Sequence, residues 1–264
     1  MSRLAVVGLV TLDRVDGGLP QLGGAPTYAA RALRLLGHDA VLATKLAPED
    51  RPRLVALGAP VAWRPSTRTI SFRIENEDDR RSITLDEPGE SWTPADARGW
   101  LRRELARTEW LHAGALTRGD FPAETLAALR RGRRLSLDAQ GLVRPSERGE
   151  VVPDGDYDPE LLHHVDLLKL SREEAQVLGL GVDDRSLSSL GVPEIVLTLG
   201  RDGAVVYADG LAEHVPTRPL DDVDATGAGD AFITAYASYR LRRHSPRSAA
   251  QLANAASHAL LVSR

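Results

Sequence analysis

Residues 221–232 read Asp-Asp-Val-Asp-Ala-Thr-Gly-Ala-Gly-Asp-Ala-Phe, four carboxylates around a Gly-Ala-Gly turn. Beyond the turn, Phe232, Ala235, Tyr236 and Tyr239 recur at helical spacing, and Arg240, Arg242, Arg243 and His244 gather near the far end. Basic groups suit the negative end of a helix dipole, so the spacing predicts a helix that starts near Gly227. Such a start leaves backbone N–H groups unpaired, and small residues let a bulky anion reach them. Gly227, Ala228 and Gly229 thus form a candidate seat for a phosphoryl group. Asp230 would repel that anion unless it had a task of its own. The economical task is general base, taking the proton of an alcohol that attacks the phosphoryl group held by the amides. The competing reading is an Asp-rich surface loop that caps a helix.

Other groups with chemical potential are spread along the chain. Asp13 follows the apolar run Leu4–Val10, at the carboxyl end of an expected strand, where open α/β sheets place ligands. It is otherwise a turn residue. Gly23-Gly24 before a helical pattern is either a tight turn or a place where a substrate lies against backbone amides. Asp138-Ala139-Gln140-Gly141-Leu142-Val143-Arg144 follows another strand end and offers a carboxylate, an amide and a guanidinium. Arg144 is either a surface arginine or a counter-charge for a transferred phosphate. Ser171-Arg172-Glu173-Glu174 has the form of a helix capping box. Thr198-Leu199-Gly200-Arg201-Asp202-Gly203 has the form of a hairpin turn. The seven histidines share no metal-binding spacing and read as structural or exposed. No Gly-x-x-x-x-Gly-Lys-Ser/Thr is present, which removes the P-loop as a phosphate cradle.

The elements that must position these groups alternate. Short apolar strands at Leu4–Val10, 40–45, 110–113, 134–137, 165–170 and 195–199 are interleaved with helical patterns, which argues for a mostly parallel sheet covered on both faces. Residues 60–87 differ: period-two segments around the charged turn Glu75–Arg81 read as a hairpin-rich insertion. The last helix, about Ser248 to Val262, is apolar nearly all round and is expected to be buried. The chain has 264 residues, 42% hydrophobic content, no cysteine and a formal net charge of −4. That charge gives no footprint for nucleic acid or an anionic membrane. Without cysteine there are no disulfides or thiolate metal sites. No apolar run is long enough for a signal peptide or membrane span. The expectation is a soluble, cytoplasmic protein. Lysine occurs only at positions 45 and 169.

Asp224-Ala225-Thr226-Gly227-Ala228-Gly229-Asp230 resembles the C-terminal signature of the ribokinase-like (PfkB) carbohydrate kinases, with Ala225 where that family has Thr. The resemblance runs through nearly the whole chain. It implies one ribokinase-like α/β domain spanning 1–264, with a small β lid formed mainly by about 60–87, which also reads as a homodimer surface. It implies an ATP- and Mg²⁺-dependent phosphotransferase acting on a hydroxyl of a small polyhydroxylated molecule, with Asp230 as base and the amides of Gly227, Ala228 and Gly229 as anion hole. Asp13, Gly23, Gly24, Tyr28, Gln140 and Arg144 would line the acceptor site. Thr198, Gly200, Gly203, Gly227, Gly229 and Asn254 would meet ATP, with Asn254 beside the adenine. Glu174 would organise water around Mg²⁺, while Ser171 replaces the family's Asn.

Two further departures bear on the acceptor and on ion activation. Tyr28 stands where sugar kinases of the family have a sugar-binding Asn, and Asp138-x-Gln140-Gly141-x-x-Arg144 is similar to the myo-inositol kinase version of that loop. Both favour a cyclitol such as myo-inositol over a furanose. The sequence ends ten residues after Asn254, so the family's monovalent-cation site is expected to be absent or incomplete. The alternatives are a nucleoside kinase, which a 5% aromatic content disfavours, and a non-catalytic nucleotide-binding regulator, which an intact Asp230 disfavours.

Overall fold

The computed structural model describes residues 3–77, 80–220 and 224–262. In chain order it forms β1 (Arg3–Gly8), β2 (Thr11–Val15), β3 (Gln21–Gly23), α1 (Ala25–Leu36), β4 (Ala40–Leu46), β5 (Val61–Pro65), β6 (Ser71–Glu77) and β7 (Arg80–Glu87). There follow α2 (Pro94–Arg98), α3 (Trp100–Glu104), β8 (Thr108–Gly114), α4 (Ala123–Arg130), β9 (Arg134–Asp138), α5 (Gln140–Val143) and β10 (Gly149–Glu150). The chain closes with β11 (Leu167–Ser171), α6 (Arg172–Val177), α7 (Asp184–Ser188), β12 (Glu194–Thr198), β13 (Ala204–Ala208), β14 (Leu211–Val215), α8 (Ala228–Leu241) and α9 (Pro246–Val262).

A nine-stranded sheet runs in the order β14-β13-β12-β11-β9-β8-β1-β4-β5. Its strands are parallel from β5 through β12, and β13 and β14 turn back antiparallel. The apolar runs read as buried strands are buried because each face carries its own core. One face packs around Leu111, Leu135, Leu168 and Ile195; the other packs around Val6, Trp110, Phe232 and Tyr236. Because the strands run the same way, Gly114, Asp138, Ser171 and Thr198 all finish at one edge of the sheet, where ligands of open α/β folds sit.

A second sheet, ordered β10-β7-β6-β2-β3, stands over that edge. Its composition corrects two expectations. Of the span 60–87, β6 and β7 join it, but Val61–Pro65 pairs in parallel with β4 at the edge of the large sheet. Val61 and Trp63 pack against the core on one face and Ala62 against that on the other, each only partly buried, so the short segment carries no period-two signal that tells an edge strand from a hairpin arm. Two members of the small sheet come from early in the chain: the first strand ends at Gly8, and Thr11–Val15 crosses to pair with β3 and β6. Asp13 therefore belongs to the small sheet, not to the carboxyl end of the first parallel strand. Asp78 and Asp79, within the expected charged turn, lie outside the described residues.

The last helix departs from its expected burial, and the helix before it is the enclosed one. In α8 every residue from Ala231 to Ser238 is buried, so this is the helix enclosed on all sides. In α9 one stripe, Ala249, Ala250, Ala253, Asn254 and Ala256, is buried against neighbours such as α8, while Gln251 and Ala255 face solvent. Alanine-rich sequence is apolar all round yet needs only a small face covered, so its composition overstated its burial.

Candidate functional site

The start of α8 is built as its glycines predict. Gly227 caps the helix in the left-handed region at φ 75°, and a side chain there would collide with the ring of Tyr28. No side chain caps the helix, but Ala228 N–H donates to the Ala225 carbonyl at 3.0 Å, so of the three amides expected to form the seat those of Gly227 and Gly229 are the ones left for an anion. At Gly229 an added Cβ would stand 2.9 Å from Lys169 Nζ, so glycine lets the turn settle directly onto a buried ammonium group. Thr226 N–H donates to Asp224 Oδ1 at 2.9 Å, closing the approach to the turn. Asp221, Asp222 and Val223, part of the acidic stretch, lie outside the described residues.

A cavity of about 630 Å³ opens in front of this turn, between the two sheets. The large sheet and its loops contribute Gln140, Arg144, Lys169, Glu174 and Asp230; the small sheet contributes Thr11, Asp13, Phe72, Ile74, Arg81 and Ile83. Gly24 and Tyr28 close the side next to α1. The carboxyl group of Asp13 fits because Gly23, which pairs with Thr11 across β2 and β3, has no side chain; a Cβ there would collide with both the Asp13 carboxyl and the Thr11 hydroxyl. Asp13 Oδ1 is shut off from solvent and has no hydrogen-bond partner. Burial pushes the carboxyl up to about 6, against the pull of Thr11, the Phe72 backbone, Arg144 and Arg81. A solvent-free carboxylate oxygen without a donor is a ready acceptor for a ligand hydroxyl. Tyr28 lies with its ring against Gly227, so it forms a wall under the phosphate seat as well as a side of the acceptor cavity.

Behind the cavity lies a charged layer. Lys169 Nζ, 3% exposed, sits 3.2 Å from Asp138 Oδ2 and 3.8 Å from Glu174 Oε2. Burial works to lower the Lys169 pKa, but Asp138, Glu174 and Asp230 outweigh it and raise it, holding the ammonium charged. Asp230 is pushed up to about 7, first by burial and then by Asp138, with Lys169 and Arg144 pulling the other way and Glu174 adding to the rise. A carboxyl balanced near neutrality can take a proton and release it again, which suits a general base. Glu174 is also raised by burial. The capping box is real: Ser171 Oγ accepts from Glu174 N at 3.2 Å, and Glu174 Oε2 accepts from Ser171 N at 2.7 Å. Glu174 thus has one oxygen committed to the helix cap and the other open to water or a hard cation, an oxygen donor of the kind magnesium takes through its water shell.

A second cavity of about 380 Å³ continues past the helix start and shares Thr198, Gly200, Ala225 and Gly229 with the first. Phe232, Leu220 and Leu261 give it apolar walls, and Gly203, Asn254, Arg201, Arg218 and His258 add polar groups. Gly200 and Gly203 both take positive φ, which the tight turn between β12 and β13 requires. Asn254 reaches this cavity, but its amide nitrogen donates to the carbonyls of Val215 and Pro216 at 3.1 and 3.3 Å. Its donors tie α9 to the end of β14, which leaves its carbonyl oxygen as the group facing a ligand.

Most residues singled out from sequence are therefore brought to two connected cavities; Gly23, expected to line the acceptor site, lines neither and instead backs the Asp13 carboxyl, and Asp138 lies behind the wall. The sequence reading missed Lys169, His112, Arg81 and Thr11. A lone lysine inside an apolar strand was a legible signal for Lys169. His112, read with the other histidines as structural or exposed, is fully buried on β8 below Asp138 and Asp230. Arg81 reaches from the small sheet to Thr226 Oγ1 at 3.4 Å. Among the described residues no helix is long and apolar enough to cross a membrane.

A family model described as "pfkB family carbohydrate kinase" matches residues 14–263. An inositol 3-kinase of Oryza sativa subsp. japonica is 30% identical over 264 residues, covering 88% of this chain and 60% of that protein. The inositol 3-kinase of Zea mays is 35% identical over 141 residues, 52% of this chain and 36% of its own length. The chain thus spans about three fifths and about one third of these two relatives. A fructokinase of Klebsiella pneumoniae is 31% identical, with 88% of this chain and 82% of that protein covered. Among solved structures, a pyrophosphate-dependent kinase of the ribokinase family, complexed with a pyrophosphate analog and myo-inositol, superposes with a TM-score of 0.83. It is 28% identical and covers 98% of this chain and 95% of that one.

Proposed function

The chain belongs to the pfkB family of carbohydrate kinases, and from that premise we propose that it phosphorylates a hydroxyl of a small polyol, with myo-inositol or a close cyclitol as acceptor. The observation that carries this reading is the pairing across one cavity of Asp13 Oδ1, a solvent-free acceptor without a partner, with Asp230 beside an uncapped helix start. Asp13 orients the acceptor by accepting from its hydroxyls. Asp230 takes the proton of the attacking hydroxyl. The amides of Gly227 and Gly229 hold the charge of the phosphoryl group in transit, a role that needs fixed dipoles and no covalent chemistry, while Ala228 N–H is spent on the Ala225 carbonyl. Lys169 and Arg144 keep the carboxylate layer from repelling the phosphate.

ATP is the donor in this proposal, its base between Phe232, Leu220 and Leu261 and its phosphates toward Gly229. ATP as donor places the reaction in the cytoplasm. Bound magnesium neutralises charge on the terminal phosphates, and Glu174 is the residue placed to hold its water shell. A second reading, pyrophosphate as donor, is favoured by Arg201 and Arg218 in the donor cavity, since two guanidinium groups can pair with the oxygens of a second phosphate. The small sheet has two open edges, β3 and β10, and the proposed homodimer forms there.

Phosphate transfer from ATP or pyrophosphate to myo-inositol, ribose, fructose and adenosine, followed directly by product detection, tests these assignments. Myo-inositol or a close cyclitol is expected to give the highest kcat/KM. A pocket that satisfies specific hydroxyls rejects analogues lacking them by several orders of magnitude. Ribose or adenosine winning by about tenfold would remove the cyclitol and leave the phosphotransfer chemistry standing. Transfer from pyrophosphate but not from ATP would settle the donor the other way.

A further inference from the structure

His112 occupies the middle of β8 with no exposure to solvent, opposite Ser136 on β9. Its Nδ1 lies 3.1 Å from Ser136 Oγ. That oxygen already accepts from Trp110 Nε1 at 3.1 Å, and its own hydrogen has two possible destinations: His112 Nδ1, or the Leu111 carbonyl at 3.4 Å. The shorter contact is to the imidazole, and Leu111 belongs to a central strand with paired neighbours on both sides. A ring nitrogen that accepts at Nδ1 carries its hydrogen on Nε2. His112 Nε2 is buried and has no hydrogen-bond partner. A ring nitrogen of His112 and one carboxylate oxygen each of Asp138 and Asp230 lie within 4.8 Å of one another. Since Nδ1 is engaged with Ser136, Nε2 is the nitrogen left for the carboxylates. The separation suits one bridging water.

We propose that His112 is a positioning residue for the general base: Ser136 fixes the imidazole as the Nε2–H tautomer, which directs a hydrogen-bond donor at the Asp138–Asp230 pair and favours the ionised form of Asp230. The inference rests on the reading of Asp230 as base. Burial supports it by driving the imidazole down to about 4, so the ring is neutral at physiological pH. The other groups facing Asp230 are accounted for. Lys169 from β11 and Arg144 after α5 favour its charge, while Asp138 from β9 and Glu174 from α6 oppose it. Tyr28 from α1 and Arg81 from β7 line the same cavity. Asp138 already accepts from Lys169 and from Gln140 N–H at 3.0 Å, so the donor that His112 adds serves Asp230.

Nitrogen-15 NMR of histidine-labelled protein at neutral pH, without substrate, tests the tautomer directly. The signal that disappears in His112→Gln is expected to have Nε2 protonated and Nδ1 bare, and to move in Asp230→Asn. An Nδ1–H tautomer overturns the proposal whatever the enzyme's activity. The second measurement is kcat against pH with the best donor–acceptor pair. In His112→Leu the acid limb is expected to move up by about one pH unit, the scale of a lost hydrogen bond to a carboxylate, with the alkaline plateau kept within about twofold. His112→Gln, whose side-chain amide can present a donor near the Nε2 position, should return the limb toward wild type. A uniform loss at every pH in His112→Leu, with the limb unmoved, would make His112 a packing residue. Full turnover in Asp230→Asn would instead refute the base, a separate failure that leaves the tautomer result intact.

Discussion

Asp230 joins the chemistry to the physics of its surroundings. Replacing it by Asn keeps the shape and removes the proposed base, and turnover should fall about 100-fold or more, the usual scale for such a loss. Stopped-time phosphate-transfer assays would show it, and retention of more than half the activity would make Asp230 a mere helix-start carboxylate. The elevated carboxyl also predicts a stability effect. Asp230 binds a proton more tightly when folded, at about 7, than an ordinary aspartate does at 3.8. Between those values the native state holds the extra proton, so this group's contribution to stability declines as pH rises from about 4 to about 7. Asp230→Asn should therefore melt higher than wild type at pH 8 and nearly the same at pH 4. Calorimetry at both values checks it, and an equal difference at the two pH values would contradict the elevated carboxyl.

The turn into α8 works because two elements meet with no room for a side chain. Gly227→Ala must bear both a positive φ and a collision with Tyr28. Strain of this kind costs on the order of 1–3 kcal/mol, and the displaced amides should lower kcat more than acceptor KM. Adding Tyr28→Ala removes the collision but not the φ cost, so the double variant should recover part of the stability lost by Gly227→Ala alone. Simple additivity in a thermal-melt cycle would show that the ring does not matter. The other half of α8 is anchored by Glu194 at the start of β12. It accepts from Arg134 and Arg240 at 2.9 Å and from the Tyr236 hydroxyl, and it is buried. Glu194→Ala strands two guanidinium groups and a phenol, and should cost about 3–5 kcal/mol, the range for breaking a buried ion pair. Chemical denaturation measures this, and a loss below about 1 kcal/mol would show that water replaces the carboxylate.

The proposed acceptor binding belongs to the whole molecule, because Asp13 stands on the small sheet and Asp230 at the start of α8, which packs on the large one. Ligand affinity and the approach of the sheets are then one quantity. Asp13→Ala should weaken acceptor binding by roughly 1.5–3 kcal/mol, the range for hydrogen bonds to a charged group, with ATP KM near wild type. It should also remove most of the thermal shift that saturating acceptor gives the wild-type protein, since a ligand stabilises only as far as it binds the native state. Equal losses for both substrates would point instead to a disturbed β2.

The start of α8, the parallel strands, the capping box and the hairpin at Gly200–Gly203 were legible because each is local. Glycine placement, apolar runs and cap spacing act within a few residues. Asp230 stood out for the same reason, whereas the roles proposed for Asp13 and Glu174 came from the family resemblance. The neighbours of Asp13, the membership of the small sheet and the edge position of Val61–Pro65 were not, because strand pairing is settled between segments far apart in sequence. Period two says that one side of a strand is covered and not which sheet covers it. The burial of α8 instead of α9 likewise depended on which alanine-rich surface meets a neighbour. Lys169 and His112 show the limit most clearly. In sequence they are one polar residue each inside an apolar strand; only the parallel register of β8, β9 and β11 stacks them with Asp138 beneath Asp230, and only there does burial fix what their protons do.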